Sequence, residues 1–187
     1  SYGDEESETG ISIDSSGHAH VVYYCDSYYP IYNIDATIYD HTLEMRRAHN
    51  SSGVWESEVL RRDSFSSYST ANTAYVSSGI DSSDSLHVVY SDDGALRYAK
   101  TYGSGRWMKT ILRDSGGDHC SLTIDAFDRI HISSGSVAYT TNRSGEWETR
   151  IISDPSNERG LGTCIGVSTS NQVHVGYYNS LARSLVV

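Results

Sequence analysis

Four stretches of this chain share one pattern: GISIDSSGHAHVVYY (10–24), SSGIDSSDSLHVVY (77–90), SLTIDAFDRIHIS (121–133) and IGVSTSNQVHVGYY (165–178). Each runs from an apolar residue through a polar turn into apolar-His-apolar. The histidines are His20, His87, His131 and His174, spaced by 67, 44 and 43 residues. A unit of this size cannot bury an apolar face alone. It does so by stacking on copies of itself, so a repeat of this period restricts the fold to stacked arrays.

Two further elements recur. The stretches NSSGVWESEVLRRD (50–63), GSGRWMKTILRD (103–114) and NRSGEWETRIISD (142–154) each place a tryptophan after a Gly turn: Trp55, Trp107 and Trp147. Between the two elements lie LEMRRAH (43–49), ALRYAK (95–100) and VAYTT (137–141). Each unit therefore predicts four short strands, A to D, of ordinary strand length. Period-2 alternation puts Ala19, Val21 and Tyr23 on one side of strand B and His20, Val22 and Tyr24 on the other. Both sides are largely apolar or aromatic, as a sheet packed between two neighbours requires.

Four strands in a period of forty-odd residues predict an all-β chain built as a β-propeller. The blades run over about 9–63, 64–114, 115–154 and 155–187. The fourth ends at ARSLVV without a strand D, so the last blade is expected to be incomplete. Residues 1–187 then form a single propeller domain, a piece of a larger propeller, or a ring completed by a partner chain. An open blade edge also invites self-association.

The motif "D-x-x-G-x-x-H-V-x-Y … G-x-W" resembles the tandem β-propeller repeats of bacterial secreted and surface proteins, and the likeness covers nearly the whole chain. It implies a secreted or cell-surface location. A second, partial likeness is to the Asp-box turn of sialidase-type propellers, on Asn50-x-x-Gly53-x-Trp55 and Asn142-x-x-Gly145-x-Trp147. The spacing differs from that motif, and repeat two has Tyr102 where the Asn would stand.

Composition narrows the partners. The net charge is −10 and basic residues occur only as pairs such as Arg46-Arg47 and Arg61-Arg62, which argues against nucleic acid. No apolar run approaches the roughly 20 residues of a membrane span. The chain opens without Met or a leader pattern and reads as mature or trimmed. Cys25, Cys120 and Cys164 are an odd set without CxxC spacing, which predicts no zinc site; a Cys120–Cys164 disulfide is open but not the default. No metal or other cofactor is called for.

A feature present once per blade suits a scaffold better than an active site, because catalysis needs an asymmetric constellation. Asp14, Asp81 and Asp125 each stand six residues before a histidine, where a carboxylate can accept an imidazole hydrogen bond across the A–B turn. Ser168 takes that place in repeat four. The tryptophans read likewise as strand-D anchors on the adjacent blade.

The insert CDSYYPIYNIDATIYDH (25–41) breaks the repetition. Its Tyr28, Tyr29, Tyr32 and Tyr39 offer flat amphipathic surfaces, and Asp26, Asn33, Asp35 and Asp40 offer hydrogen-bond acceptors, a combination suited to sugars or protein surfaces. Its plainer reading is a lengthened hairpin that covers an edge. The loops between strands D and A add non-repeating polar residues, Asp118, His119, Glu158 and Arg159. No Ser-His-Asp order or G-x-S-x-G elbow appears. The leading expectation is a non-enzymatic binding propeller that recognises carbohydrate or a surface partner through the Tyr-rich insert. The alternatives are a carbohydrate-active hydrolase or lyase using the Asp118 group, and a structural module of a larger surface protein.

Overall fold

A computed structural model describes residues 8–32, 37–67, 75–102, 106–135, 137–152, 160–179 and 181–187. These residues form four separate antiparallel sheets, with no helix among them. The first sheet contains β1 (Thr9–Ile13), β2 (Ala19–Tyr32), β3 (Thr37–His49) and β4 (Glu56–Ser67); the second contains β5 (Val76–Ile80), β6 (Leu86–Asp92), β7 (Ala95–Tyr102) and β8 (Arg106–Arg113). The third contains β9 (Ser121–Ile124), β10 (Ile130–Ser134), β11 (Ala138–Thr141) and β12 (Glu148–Ile151). The fourth contains β13 (Gly160–Val167), β14 (Val173–Asn179) and β15 (Ser184–Val186). Each sheet is a meander in chain order. The sheets coincide with the four repeats, and the last has three strands among the described residues.

One turn geometry recurs between the first two strands of every sheet. Asp14, Asp81, Asp125 and Ser168 each bond through their backbone to the residues three and four positions on. The fourth turn residue is left-handed: Gly17 (φ 83°), Asp84 (φ 59°), Asp128 (φ 59°) and Asn171 (φ 58°). Gly, Asp and Asn are the residues that tolerate this region. The next hairpin is also tied in place. Asn50 Oδ1 accepts Ala19 N–H at 2.8 Å and Asn142 Oδ1 accepts Ile130 N–H at 2.8 Å. In the second sheet Thr101 Oγ1 takes Leu86 N–H at 2.8 Å. The side chain shared with the Asp-box likeness thus caps the start of strand B.

The chain divides into two compact units, Ser1–Ala74 and Tyr75–Val187. In the first, Val22, Met45 and His41 are buried on one face of the sheet, while Ile11 and Ile13 are exposed on the other. In the second unit the core gathers Tyr75, Val89, Leu96, Tyr98, Cys120, Leu122, Ile130 and Ile132 from the second and third sheets, with Leu112, Ile124 and Trp147 packed against it. Successive sheets meet through their first strands: β9 lies against β5, and β13 against β9. Backbone-to-side-chain bonds repeat at these seams. Leu122 N–H donates to Ser77 Oγ (3.1 Å) and Ile165 N–H to Ser121 Oγ (3.3 Å). The turns are joined in the same way. Asp128 accepts from Ser82 N–H (2.9 Å) and Ser82 Oγ–H (2.5 Å), and Asn171 Oδ1 accepts Ala126 N–H (3.4 Å). Gly117 seats the loop after β8, because a Cβ there would stand 2.3 Å from the Ala95 carbonyl oxygen. None of the three cysteines is in a disulfide; Cys120 is buried, and Cys25 and Cys164 are exposed.

Candidate functional site

The per-repeat histidines come first. His87 Nε2 lies 2.9 Å from Asp81 Oδ2, His131 Nε2 3.2 Å from Asp125 Oδ2, and His20 Nε2 3.1 Å from Asp14 Oδ2. The other ring nitrogen also has a partner. His87 Nδ1 lies 2.6 Å from the Tyr98 hydroxyl and His131 Nδ1 2.7 Å from the Tyr139 hydroxyl. In the first sheet Arg47, at the matching register position, donates to His20 Nδ1 at 2.8 Å. An Arg guanidinium can only donate, so His20 accepts at Nδ1 and carries its proton at Nε2. The same tautomer suits the other two: Tyr O–H donates to Nδ1, and Nε2–H donates to the carboxylate.

The electrostatics agree. Burial pushes the His87 and His20 imidazoles below their ordinary pKa, more than the neighbouring carboxylates pull them back. Burial alone would raise Asp81, but bonds from Lys100, His87 and the backbone N–H groups of Ser85 and Ser83 outweigh it and hold this carboxyl well below the usual range. Asp14 is lowered by the same balance, with His18 N–H, His20 and the His18 ring as donors. Asp125 sits at about 2: burial opposes the shift, and bonds from Arg129 N–H, Phe127 N–H, His131 and the Arg129 side chain drive it. Burial, helped by the negative charge of Asp81, raises the Tyr98 phenol. In these relays His20 and His87 are thus neutral imidazoles, each between an ionised carboxylate and a guanidinium or hydroxyl, and His131 stands between the same kinds of partner. His174 differs. It is exposed, and the Ser168 hydroxyl accepts Gln172 N–H (3.0 Å) and pairs with Ser170 (2.9 Å).

The insert forms strands. β2 and β3 run 14 and 13 residues and pair from His20↔His49 out to Tyr32↔Thr37. β1 accompanies β2 only as far as Tyr23. Pro30 therefore stands where no β1 ladder bond is asked of it. The pleat separates the candidate tyrosines. Tyr28, Tyr32 and Tyr39 share one face, and Tyr29 lies with Ile31 on the other. Tyr28 and Tyr39 meet edge to face at 5.7 Å, and Tyr28 lies 5.6 Å from the His41 ring. Tyr29 and Tyr32 are 72% and 81% exposed. Asn33 and Asp35 lie outside the described residues.

Beneath Tyr28 and Tyr39 is a pair that the repeat logic passed over. His41 Nδ1 lies 2.8 Å from Asp26 Oδ2, with side chains 0% and 5% exposed. The second carboxylate oxygen of Asp26 is buried without a hydrogen-bond partner. The signal was available: carrying the strand-B alternation beyond Tyr24 puts Asp26 and Tyr28 on the buried face, diagonal and opposite to His41.

Two of the loop candidates, Asp118 and His119, are among the described residues. Asp118 is exposed, and its carbonyl accepts Gly135 N–H at 2.7 Å. His119 has a left-handed backbone (φ 49°), its ring lies 4.3 Å from that of Tyr75, and its carbonyl accepts the Thr163 hydroxyl at 2.6 Å. Glu158 and Arg159 lie outside the described residues. Among the tryptophans, Trp55 is exposed, Trp107 is half-buried, and Trp147 meets Tyr98 edge-on at 4.9 Å. An open depression of about 360 Å³ on the third sheet is lined by Tyr139, Thr141, Arg143, Ser144, Glu148 and Arg150. No group of three or more His, Cys, Asp or Glu side chains suited to a metal ion occurs among the described residues, and no helix there is long and apolar enough to cross a membrane.

The chain matches no protein-family model and no curated protein.

Proposed function

We propose that the four sheets are blades of a β-propeller, and that the chain is a non-enzymatic interaction module contacting its partner through the ribbon β2–β3. The supporting observation is the outer end of that ribbon, where Tyr29, Ile31 and Tyr32 are exposed while the corresponding hairpins of the other sheets end in short turns. Tyr29 and Ile31 share one face and Tyr32 lies on the other, so both faces of the ribbon's outer end offer apolar side chains for contact. Tyrosine brings large area and a polar tip at low entropic cost. Pro30 and Ile31 between the tyrosines favour a protein surface over a sugar. The blade reading rests on the repeated seams: matching turns, matching Ser-to-backbone bonds and first strands in succession.

The experiment is capture of binding partners by the chain and by a Tyr29→Ala/Tyr32→Ala variant, with a glycan array in parallel. Both side chains are exposed, so thermal stability should stay within about 0.5 kcal/mol of the parent. Binding should fall at least tenfold. Unchanged binding removes the ribbon as the contact, and binding confined to the array replaces the protein partner with a glycan.

A further inference from the structure

Charge is unevenly divided along the chain. Residues 1–74 hold twelve Asp and Glu against four Arg and no Lys, a net charge of −8 out of the chain's −10. All four arginines are engaged: Arg46 and Arg62 with Glu44, Arg47 with Glu58, and Arg61 with Asp63. The insert 25–41 contains Asp26, Asp35 and Asp40 but neither Lys nor Arg. Asp26 stands out because it is buried. Its Oδ2 accepts the His41 Nδ1–H at 2.8 Å, its side chain is 5% exposed, and its Oδ1 has no hydrogen-bond partner. Taking a carboxylate oxygen out of water without a partner costs free energy that an incoming donor would recover. Three rings gather beside this carboxylate. Tyr28 lies 5.7 Å from Tyr39 and 5.6 Å from His41, and Tyr39 lies 6.4 Å from His41. The pleat puts all three on the ribbon face that carries Asp26. Tyr28 and Tyr39 are half-buried, so the cluster reaches the surface there.

We propose that this cluster is the seat for a lysine side chain presented by a basic segment of a protein partner. The proposal rests on the ribbon β2–β3 being the contact surface, and it names the chemistry of the partner that the ribbon takes. The ammonium donates to Asp26 Oδ1, and its charge lies against the electron-rich faces of Tyr28 and Tyr39. Oδ1 is buried in the free chain, so the ammonium enters as a tyrosine ring turns aside. Lysine fits better than arginine. With Oδ2 held by His41, Asp26 offers a single oxygen, which matches a compact ammonium; a guanidinium fork is suited to two. The negative charge of residues 1–74 draws a basic partner toward this unit. Tyr29 and Tyr32 are not among the three rings.

The probe is a short oligolysine peptide titrated into the 187-residue chain at physiological ionic strength, with oligoarginine and Nζ-acetylated oligolysine of the same length alongside. Saturable binding of oligolysine is expected, with amide shifts clustered at Asp26, Tyr28, Tyr39 and His41. The acetylated peptide should not bind, and oligoarginine should bind more weakly. Asp26→Asn and Asp40→Asn remove the same charge, but Asp40 is exposed on the opposite face. Asp26→Asn should weaken oligolysine binding at least tenfold, as loss of a hydrogen bond between charged groups does, and Asp40→Asn by no more than about twofold. Equal losses in the two variants, or equal affinity for lysine and arginine peptides, mean diffuse attraction to an acidic surface and overturn the seat. The shifts are read on the unaltered chain, so they decide the site even if Asp26→Asn does not fold; shifts centred elsewhere overturn it. The ribbon contact fails separately. Tyr29→Ala/Tyr32→Ala should lose the captured partner yet keep full affinity for oligolysine. Loss of the partner in that variant, with no oligolysine binding to the parent chain, leaves the ribbon as the contact and removes the lysine seat.

Discussion

Asp81 shows what the repeated carboxylates do. Its Oδ1 accepts the Ser83 and Ser85 N–H groups at 3.0 and 2.9 Å, which fixes the turn. Its Oδ2 accepts from His87 at 2.9 Å and Lys100 at 2.8 Å, which ties the turn to strands B and C. One buried side chain thus satisfies four donors. Asp81→Ala should cost about 3–5 kcal/mol, the range for removing one member of a buried charged pair. Ser168→Ala, at the same place in the last sheet, removes bonds that involve only exposed neutral groups and should cost about 1 kcal/mol. Urea unfolding followed by tryptophan fluorescence measures both, and equal costs would mean that the carboxylate does no more than shape a turn. The six-residue separation made the Asp–His pairing readable in the sequence. The other partner was hidden there. Tyr98, Tyr139 and Arg47 lie diagonally across strand C, and their place depends on hairpin register rather than on spacing along the chain. The Asp26–His41 pair was hidden for the same reason, since it joins residues from opposite ends of the insert.

Strands were legible because the alternation repeats; the links between sheets were not, because they run from one repeat to the next. Asp128 carries two loads at once. Its backbone closes the turn after β9 in the left-handed region (φ 59°), and its carboxylate accepts two bonds from Ser82 in the second sheet. Glycine relieves the conformational load, and alanine relieves neither. Asp128→Gly should therefore lose only the link between sheets, about 1–2 kcal/mol. Asp128→Ala loses the same link but keeps a Cβ in left-handed backbone, so it should be about 1 kcal/mol less stable than Asp128→Gly. If the two variants are equally stable in the same urea titration, the turn strain argued from φ is absent. The insert shows the converse. Its tyrosines were read as one set of candidate contacts, but a strand turns every second side chain to the opposite face. Extension of the hairpin therefore divides Tyr29 from Tyr28, Tyr32 and Tyr39.

At the scale of the whole molecule, charge and burial make opposing demands on pH. A chain with net charge −10 and a pI near 5.1 repels itself least near pH 5, and self-repulsion alone would place maximal stability there. The buried relays act the other way. Asp14, Asp81 and Asp125 have folded pKa values below those of the unfolded chain. Between the two values the unfolded state binds more protons, so their contribution is complete above about pH 4 and drains away as the pH falls toward the folded values. His20 and His87 are also lowered on folding, by burial. Below about pH 6.5 the unfolded chain takes up protons that these buried rings refuse, so this contribution too falls with pH. Both sets slope the same way and bracket the pI. The carboxylates and imidazoles are buried and coupled at short range, whereas the excess negative charge is spread over a screened surface, so the relays should prevail. Thermal unfolding measured from pH 2 to 9 should show stability rising in two steps, one below pH 4 and one between about pH 5 and 7, with the maximum near neutrality. Asp81→Asn should flatten the lower step and leave the upper one in place, because His20 still titrates. A maximum at pH 5 would mean that surface repulsion outweighs the relays.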